Sequence, residues 1–311
     1  MNNYLGFDTS NYTTSAAVFC GDKTVFSEKK LLPVKKGERG LRQSDAVFHH
    51  TNSMPMIVEN LFSHFGGKIS AVGCSNKPRD IENSYMPCFS VGKNTAYSIS
   101  KAMGIPYYEF SHQQGHIAAA LYSLYRFELF EKEFIAFHLS GGTTEALLVK
   151  PNKEKIISTS LIAQSLDLNA GQAIDRIGVL LGYDFPCGKE IENSALKSDK
   201  KFNINIKLFG DDCSLSGLEN KCKKMIEQNE SKEDISLFCL EYIKLTLSKM
   251  TENLIKKYGD LPLVFAGGVM SNSIIRQYIE EKYDGLFAKP EFSRDNAVGI
   301  SVLTYLKENN K

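Results

Sequence analysis

The alternation of apolar and polar positions along the chain predicts a series of strands and helices. Short apolar runs predict strands over 69–74, 105–110 and 263–265. Segments with helical periodicity predict helices over 53–66, 92–103, 112–126, 163–182 and 231–258, and a last helix from about Asn296. Strands that alternate with helices in this way predict a layered α/β fold.

One apolar pattern occurs twice. Residues 4–19 (YLGFDTSNYTTSAAVF) and 134–149 (FIAFHLSGGTTEALLV) each read as a strand, a turn of small polar residues and a second strand. A single copy is typical of an ordinary hairpin, but two copies predict a duplicated, two-lobed α/β fold with a ligand cleft between the lobes. We place the N-terminal lobe at 1–126 and the C-terminal lobe at 127–295, and leave open whether the C-terminal helix, about 296–311, completes the first lobe.

Composition and charge narrow the class of protein. The 311 residues are 42% hydrophobic and 23% charged, which predicts a folded, soluble chain long enough for two lobes. The net charge of +1 means that a polyanion would have to bind a local patch. Seven cysteines without a C-x-x-C pair argue against a disulfide framework and against a thiolate zinc site. With no secretion signal and no apolar run of about 18 residues, we expect a cytoplasmic protein that does not bind a membrane.

Two histidines suggest a metal site. His112 and His116 lie four residues apart on one predicted helix, so both imidazoles share a face and can bind one ion. The same spacing occurs by chance on helix surfaces, and two histidines need further ligands, for which Asp295 and His138 are candidates. Gln113 stands where an H-E-x-x-H zinc peptidase needs glutamate, which argues against peptide hydrolysis.

Glycine-rich turns in the second half suggest a nucleotide site. The turn over 140–144 (SGGTT) offers backbone N–H groups and short hydroxyls for phosphate oxygens, and Gly267-Gly268 after a buried strand allows a base or ribose to approach the backbone. Either segment also fits an ordinary tight turn. Asp175 lies on a predicted helix whose apolar neighbours at 174, 177 and 180 place that helix partly in the core.

A set of motifs, in one order along nearly the whole chain, resembles the TsaD family of tRNA threonylcarbamoyladenosine transferases. The motifs are HQQGH (112–116), LSGGTTE (139–145), GQAIDRIGVLLGYDFPCG (171–188), SLSGLENK (214–221), FAGGVMSN (265–272) and AKPEFSRDNAVGIS (288–301). The resemblance implies the two-lobed fold that actin and the sugar kinases share.

The resemblance also implies the ligands and the residues that bind them. It implies one divalent metal ion, iron or zinc, bound by His112, His116 and Asp295, with His138 as a further candidate ligand. It implies that ATP or threonylcarbamoyl-AMP is bound by a second set of residues. These are His138, Leu139, Ser140, Gly141, Gly142, Asp175, Gly188 and Asn272.

The activity implied by the resemblance is transfer of a threonylcarbamoyl group from its AMP anhydride to the N6 amine of adenosine 37 of tRNA. A nearby carboxylate could accept the amine proton; Asp8 and Asp175 are the candidate catalytic residues, and the sequence does not choose between them. The implied partners are tRNA, a TsaB-like homologue and a small ATPase. One run of basic residues fits either a track for tRNA or a solvated charged face: Lys29, Lys30, Lys35, Lys36, Arg39 and Arg42.

Several positions depart from the family pattern where chemistry is expected. The first turn has Tyr12 and Thr13 in place of an acidic pair, the loop at 76–80 is NKPRD in place of a glycine-rich segment, and Gln114 replaces a glutamate. Lys77 and Arg79 add positive charge to that loop, suited to a phosphate or carboxylate or simply to solvent. These departures keep two alternatives open: a transferase that uses ATP or a carbamoyl adenylate on another acceptor, and a nucleotide-binding scaffold.

Overall fold

A computed structural model of the chain describes residues 2–10, 12–33, 41–293 and 296–310. It divides into two compact units. Unit 1 comprises Met1–Lys132, Lys150–Thr159 and Glu291–Lys311, and unit 2 comprises Glu133–Val149 and Ser160–Pro290.

Unit 1 is built on a five-stranded sheet. Its strands are β1 (Asn3–Ser10), β2 (Thr13–Cys20), β3 (Val25–Leu31), β4 (Ile69–Lys77) and β5 (Tyr107–Ser111). The order across the sheet is β3-β2-β1-β4-β5, with β1, β2 and β3 antiparallel in turn and β1, β4 and β5 parallel. Because β1, β4 and β5 run the same way, their carboxyl ends meet at one edge, which is where α/β sheets bind ligands.

Four helices cover this sheet: α1 (Gln43–His64), α2 (Phe89–Met103), α3 (His112–Ser123) and α9 (Val298–Asn309). A Cβ on Gly6 of β1 would lie 2.5 Å from the backbone nitrogen of Ser301 in α9, and a Cβ on Gly299 of α9 would lie 1.8 Å from the carbonyl oxygen of Gly115 in α3. Since real atoms cannot come so close, only glycine allows this packing. Helix α9 therefore holds α3, which carries the H-x-x-x-H motif, close to β1.

Unit 2 repeats the same topology. Its strands are β6 (Phe134–Leu139), β7 (Thr144–Asn152), β8 (Ile156–Gln164), β9 (Leu263–Ala266) and β10 (Leu286–Phe287), in the order β10-β9-β6-β7-β8. As in unit 1, the first two strands form an antiparallel hairpin, and the first strand pairs in parallel with a later one, here β9. The predicted duplicated α/β fold is confirmed by these two matching sheets.

The helices of unit 2 are α4 (Ala170–Leu180), α5 (Gly188–Ala195), α6 (Ser216–Glu227), α7 (Lys232–Tyr258) and α8 (Ser273–Tyr283). Helix α7 begins after Ser231, whose side chain accepts a hydrogen bond from the backbone N–H of Asp234, as expected of an N-cap. In the core, the rings of Phe137, Phe265 and Phe287 form a stack with centroids 4.9 and 5.0 Å apart.

Some elements differ from the sequence-based expectation. The helix predicted over 163–182 is wrong at its start, because β8 continues to Gln164 and α4 begins only at Ala170. Asn169 ends the non-helical stretch by forming a capping box with Gln172. The helix predicted over 53–66 begins ten residues earlier, at Gln43, and strands β3 and β8 were not predicted.

All seven cysteines are buried and free. Of the helices in the described residues, none combines the length and apolar content needed to cross a membrane.

Candidate functional site

The two motif histidines point their Nε2 atoms at each other. These atoms, on His112 and His116, are 2.9 Å apart, and the rings meet edge to face with centroids 4.3 Å apart. The Nδ1 of His112 lies 2.6 Å from Oδ2 of Asp8. Because a carboxylate oxygen accepts hydrogen bonds, Asp8 orients the His112 ring with Nδ1 as the donor and Nε2 toward His116.

The parallel strands of unit 1 explain why Asp8 and His112 meet, with Ser75 beside them. Asp8 lies near the end of β1, Ser75 near the end of β4, and His112 directly after β5. The Ser75 hydroxyl donates to Oδ1 of Asp8 at 2.9 Å, so both carboxylate oxygens of this buried residue have partners. Ser111 begins α3 by capping it, which turns His112 and His116 toward the same edge.

This arrangement suits a metal ion at the two imidazoles. Two adjacent ligand nitrogens around an ion bound at about 2.0–2.1 Å are roughly 3 Å apart, close to the observed separation. A carboxylate on the far nitrogen of a histidine is the usual arrangement behind a metal ligand. No group of three or more His, Cys, Asp and Glu side chains suited to a metal occurs in the described residues. Asp295, the predicted third ligand, lies outside them, and His138 belongs to unit 2.

The two glutamines between the histidines have structural partners in unit 1. Gln113 accepts a hydrogen bond from the Thr159 hydroxyl at 3.0 Å, and its backbone N–H donates to the Pro78 carbonyl. Gln114 accepts the Ser111 N–H, while its Nε2 donates to the Ile157 carbonyl at 2.7 Å. A glutamate at position 114 lacks that donor. The hydrogen bond to Ile157 therefore explains why this chain has glutamine there.

The second hairpin turn lies in unit 2 and is built differently. The Ser140 hydroxyl accepts the N–H groups of Gly142 and Thr143, which fixes the turn. A Cβ on Gly141 or Gly142 would meet nothing within 4 Å, so packing does not require glycine there. The open space leaves room for a ligand against the backbone, as the sequence predicted for a phosphate.

Helix α4 packs directly on this turn. A Cβ on Gly171 would lie 2.6 Å from the backbone nitrogen of Gly141. The Gly171 N–H donates to the Ser140 carbonyl, and the Ala170 N–H donates to the Thr144 hydroxyl. The position of the turn is therefore fixed by the start of α4.

Asp175 connects α4 to α5. Its Oδ1 accepts the backbone N–H of Cys187 at 2.8 Å, directly before Gly188. Burial raises the pKa of Asp175, and this hydrogen bond opposes the shift only partly. Gly188 is exposed and a Cβ there would meet nothing within 4 Å, as at Gly141 and Gly142.

The remaining predicted nucleotide residues lie at the ends of β6 and β9. His138 and Leu139 are in β6, and the Leu139 carbonyl lies 2.1 Å from where a Cβ on Gly267 would be. Gly267 has φ of +102°, so this position demands glycine for its backbone as well. Asn272 caps α8 by accepting the Ile275 N–H at its Oδ1.

Sequence reasoning missed two residues that support these sites. Ser75 holds Asp8, and its only sequence signal is a small polar residue at the end of a predicted strand. Asp167 accepts hydrogen bonds from the Leu215 and Ser216 backbones and the Ser214 hydroxyl, and so anchors the SLSGLENK motif. No local pattern at 167 announces contacts made 47–49 residues away along the chain.

Comparison with known sequences decides the family. The sequence model of TsaD, tRNA N6-adenosine threonylcarbamoyltransferase, matches residues 31–302. The chain belongs to the TsaD family. A tRNA N6-adenosine threonylcarbamoyltransferase of Thermosipho africanus is 28% identical to this TsaD chain over 319 residues, covering 97% of this chain and 93% of the relative. The resemblance drawn from the motifs is thus confirmed.

Solved structures with a similar fold support the architecture. The (R)-2-hydroxyglutaryl-CoA dehydratase component A of Acidaminococcus fermentans has a TM-score of 0.57 at 15% identity, covering 99% of this TsaD chain and all of that one. A ROK family glucokinase of Streptomyces griseus has a TM-score of 0.53 at 11% identity, covering 99% of each chain. At such identities these likenesses concern the fold alone. They confirm a fold of the actin and sugar-kinase type.

Proposed function

We propose that this chain transfers the threonylcarbamoyl group of threonylcarbamoyl-AMP to the N6 amine of adenosine 37 of tRNA, in the cytoplasm. The observation that carries the proposal is the pair of imidazole nitrogens 2.9 Å apart, oriented by Asp8, in a TsaD family chain. A scaffold does not need two converging imidazole nitrogens backed by a buried carboxylate, whereas a group-transfer enzyme can use them to bind a metal ion.

His112 and His116 would hold one divalent metal ion, iron or zinc, with Asp295 as the third ligand and His138 as a further candidate. When bound, the ion supplies Lewis-acid polarisation of an acyl or phosphate oxygen. Asp8, proposed from the sequence as a catalytic base, is better suited to positioning, because both its oxygens already accept hydrogen bonds from His112 and Ser75.

In unit 2, the open turn at Gly141 and Gly142 would bind the phosphate of the adenylate. The rest of the nucleotide would contact a set of residues around it. These are His138, Leu139, Ser140, Asp175, Gly188 and Asn272. Asp175 remains the candidate proton acceptor, because a carboxylate with a raised pKa is the stronger base.

The test is a transfer reaction analysed by mass spectrometry of the tRNA nucleosides. The full chain is mixed with a TsaB-like homologue, the small ATPase, threonylcarbamoyl-AMP and an unmodified tRNA transcript. We expect N6-threonylcarbamoyladenosine from the wild type and none from His112→Ala. A parallel reaction supplied with carbamoyl-AMP in place of threonylcarbamoyl-AMP tests the alternative transferase, which a plain carbamoyl product with release of AMP would establish. Assembly with the partners without any product would establish the scaffold.

A further inference from the structure

A cluster of lysines surrounds the tip of the β7–β8 hairpin. This tip, Lys150–Thr159, belongs to unit 1, whereas the rest of both strands belongs to unit 2. Lys153 and Lys155 are exposed on the tip, and Lys77 at the end of β4 and Lys307 in α9 are half-buried beside it. We refer to these four lysines as the hairpin-tip surface.

Ion pairs and hydrogen bonds join the segments that carry the four lysines. Lys77 and Lys155 both bind Asp80, each with 2.8 Å between Nζ and one carboxylate oxygen. Lys307 donates to the backbone carbonyls of Lys153 and Glu154. The lysine side chains therefore come from three separate segments, yet they share one acid and one stretch of backbone.

The charge of this surface is positive. Burial alone would raise the pKa of Asp80, but hydrogen bonds from Lys155 and Lys77 outweigh it and lower the pKa, so this carboxylate is ionised at neutral pH. Asp80 and Glu154 then supply two negative charges against the four lysines. A cluster with excess positive charge on an otherwise almost neutral chain is suited to a polyanion.

The hairpin tip is also joined to the histidine motif. Gln114 donates to the Ile157 carbonyl, Gln113 accepts the Thr159 hydroxyl, and the Gln113 N–H donates to the Pro78 carbonyl. Lys77 is paired in the β4–β5 register with Ser111, the residue before His112. The lysines and the histidine pair are therefore carried by segments that are hydrogen-bonded to one another.

We propose that the hairpin-tip surface binds the phosphate backbone of tRNA and so brings the acceptor nucleotide to His112 and His116. This rests on the proposed function, from which it takes tRNA as the substrate. It differs from the basic run predicted from the sequence, of which Lys29, Lys30 and Arg42 lie in the described residues and Lys35, Lys36 and Arg39 lie outside them.

The test is binding of an unmodified tRNA transcript to the full chain by fluorescence anisotropy over a range of salt concentrations. Each lost phosphate contact reduces the slope of log K against log salt by about 0.7–0.9. We expect Lys153→Ala/Lys155→Ala to weaken binding at low salt at least about tenfold and to reduce the slope by roughly 1.5. Lys153→Arg/Lys155→Arg, which keeps the charge, should bind like the wild type. Lys223→Ala/Lys224→Ala on α6 is the matched control and should also leave the slope unchanged.

A charge change of opposite sign sharpens the test. Asp80→Asn removes one negative charge from the surface, so we expect tighter tRNA binding, an outcome that mere local damage would not produce. An unchanged slope in the Lys153→Ala/Lys155→Ala protein, or a full loss of slope in Lys29→Ala/Lys30→Ala instead, would overturn the proposed surface alone. A wild-type chain that does not bind tRNA at low salt, even with its partners present, would contradict the proposed function as well.

Discussion

The β1–β2 and β6–β7 hairpins have the same pairing and the same place in their sheets, but the groups that they offer to a ligand site differ. Every residue of β1 and β2 is buried, and β1 carries Asp8, which binds His112. The β6–β7 turn exposes Gly141 and Gly142, with open space where their side chains would be. The first hairpin supplies a carboxylate that positions a histidine of α3, and the second presents bare backbone.

The difference shows how a duplicated fold can divide its tasks. In unit 1, a buried carboxylate can orient an imidazole because the sheet edge excludes water around it. In unit 2, glycine leaves the backbone accessible, and Ser140 fixes the turn from within. We therefore assign the metal ion to the histidine pair beside Asp8 and the nucleotide to the turn at Gly141 and Gly142. The variants described next test this division.

The largest effect should come from His112→Ala. Loss of an imidazole that converges on the proposed ion removes several kcal/mol of transition-state stabilisation, so we expect transfer to fall about a thousandfold or more. Nucleotide binding should be unchanged, because that site lies on unit 2. His64→Ala, at the exposed end of α1, is the control. Retained metal in the His112→Ala protein would contradict the assignment.

Asp8→Asn should have the next largest effect. An amide cannot stabilise the proton on His112 Nδ1 as a carboxylate does, and loss of such a partner typically lowers metal affinity or activity by about 10–100-fold. Metal content after dialysis and the transfer rate measure this. If the rate falls while metal affinity stays at the wild-type value, Asp8 acts as a base instead.

Gly142→Val tests the second turn. The side chain would enter space that is empty in the protein, so the unfolding temperature should stay the same while AMP affinity falls about tenfold, an effect of roughly 1.4 kcal/mol. Gly171→Ala is the contrasting variant, because its Cβ would lie 2.6 Å from the Gly141 nitrogen and should destabilise the fold by about 1–3 kcal/mol. If Gly142→Val and the wild type bind AMP equally well, the phosphate does not bind at this turn.

Gln114→Glu should destabilise unit 1, because the Gln114 side chain is hydrogen-bonded to the protein itself. The carboxylate cannot donate to the Ile157 carbonyl, and an unpaired buried polar group costs about 1–3 kcal/mol. Urea unfolding measures this, with Gln228→Glu at the exposed end of α6 as the control. A Gln114→Glu protein as stable as the wild type would show that the hairpin tip is held by other contacts.

The smallest effect is a pH dependence in unit 2. Burial alone would raise the pKa of Asp167. Hydrogen bonds from Ser214, Ser216, Leu215 and Leu168 outweigh this effect and lower the pKa well below its ordinary value of 3.8. Its contribution to stability is therefore present above about pH 4 and is lost as the pH falls below that value. Unfolding followed between pH 5 and pH 2.5 should show a smaller pH dependence for Asp167→Asn. Identical pH profiles would contradict this role.

The sequence predicted much of the fold because its signals are local. The two hairpins, the parallel strands and helix α7 follow from apolar periodicity and from turn residues such as Ser231. The predicted start of α4 was wrong because the apolar periodicity continues through 163–169. In the structure, hydrogen bonds of Ser165 and Asp167 hold that stretch in a non-helical conformation. Contacts such as Ser75 to Asp8 and Gln114 to Ile157 join distant segments, so no local pattern could reveal them.

One measurement tests most directly whether unit 1 binds the metal ion and unit 2 binds the nucleotide. This is native mass spectrometry of the purified wild type, His112→Ala and Gly142→Val, each supplied with AMP and with zinc or ferrous iron. We predict one metal ion and one AMP on the wild type, AMP without metal on His112→Ala, and metal with a clearly lower AMP occupancy on Gly142→Val. Metal that stays on His112→Ala, or AMP that stays on Gly142→Val at the wild-type level, would contradict the account.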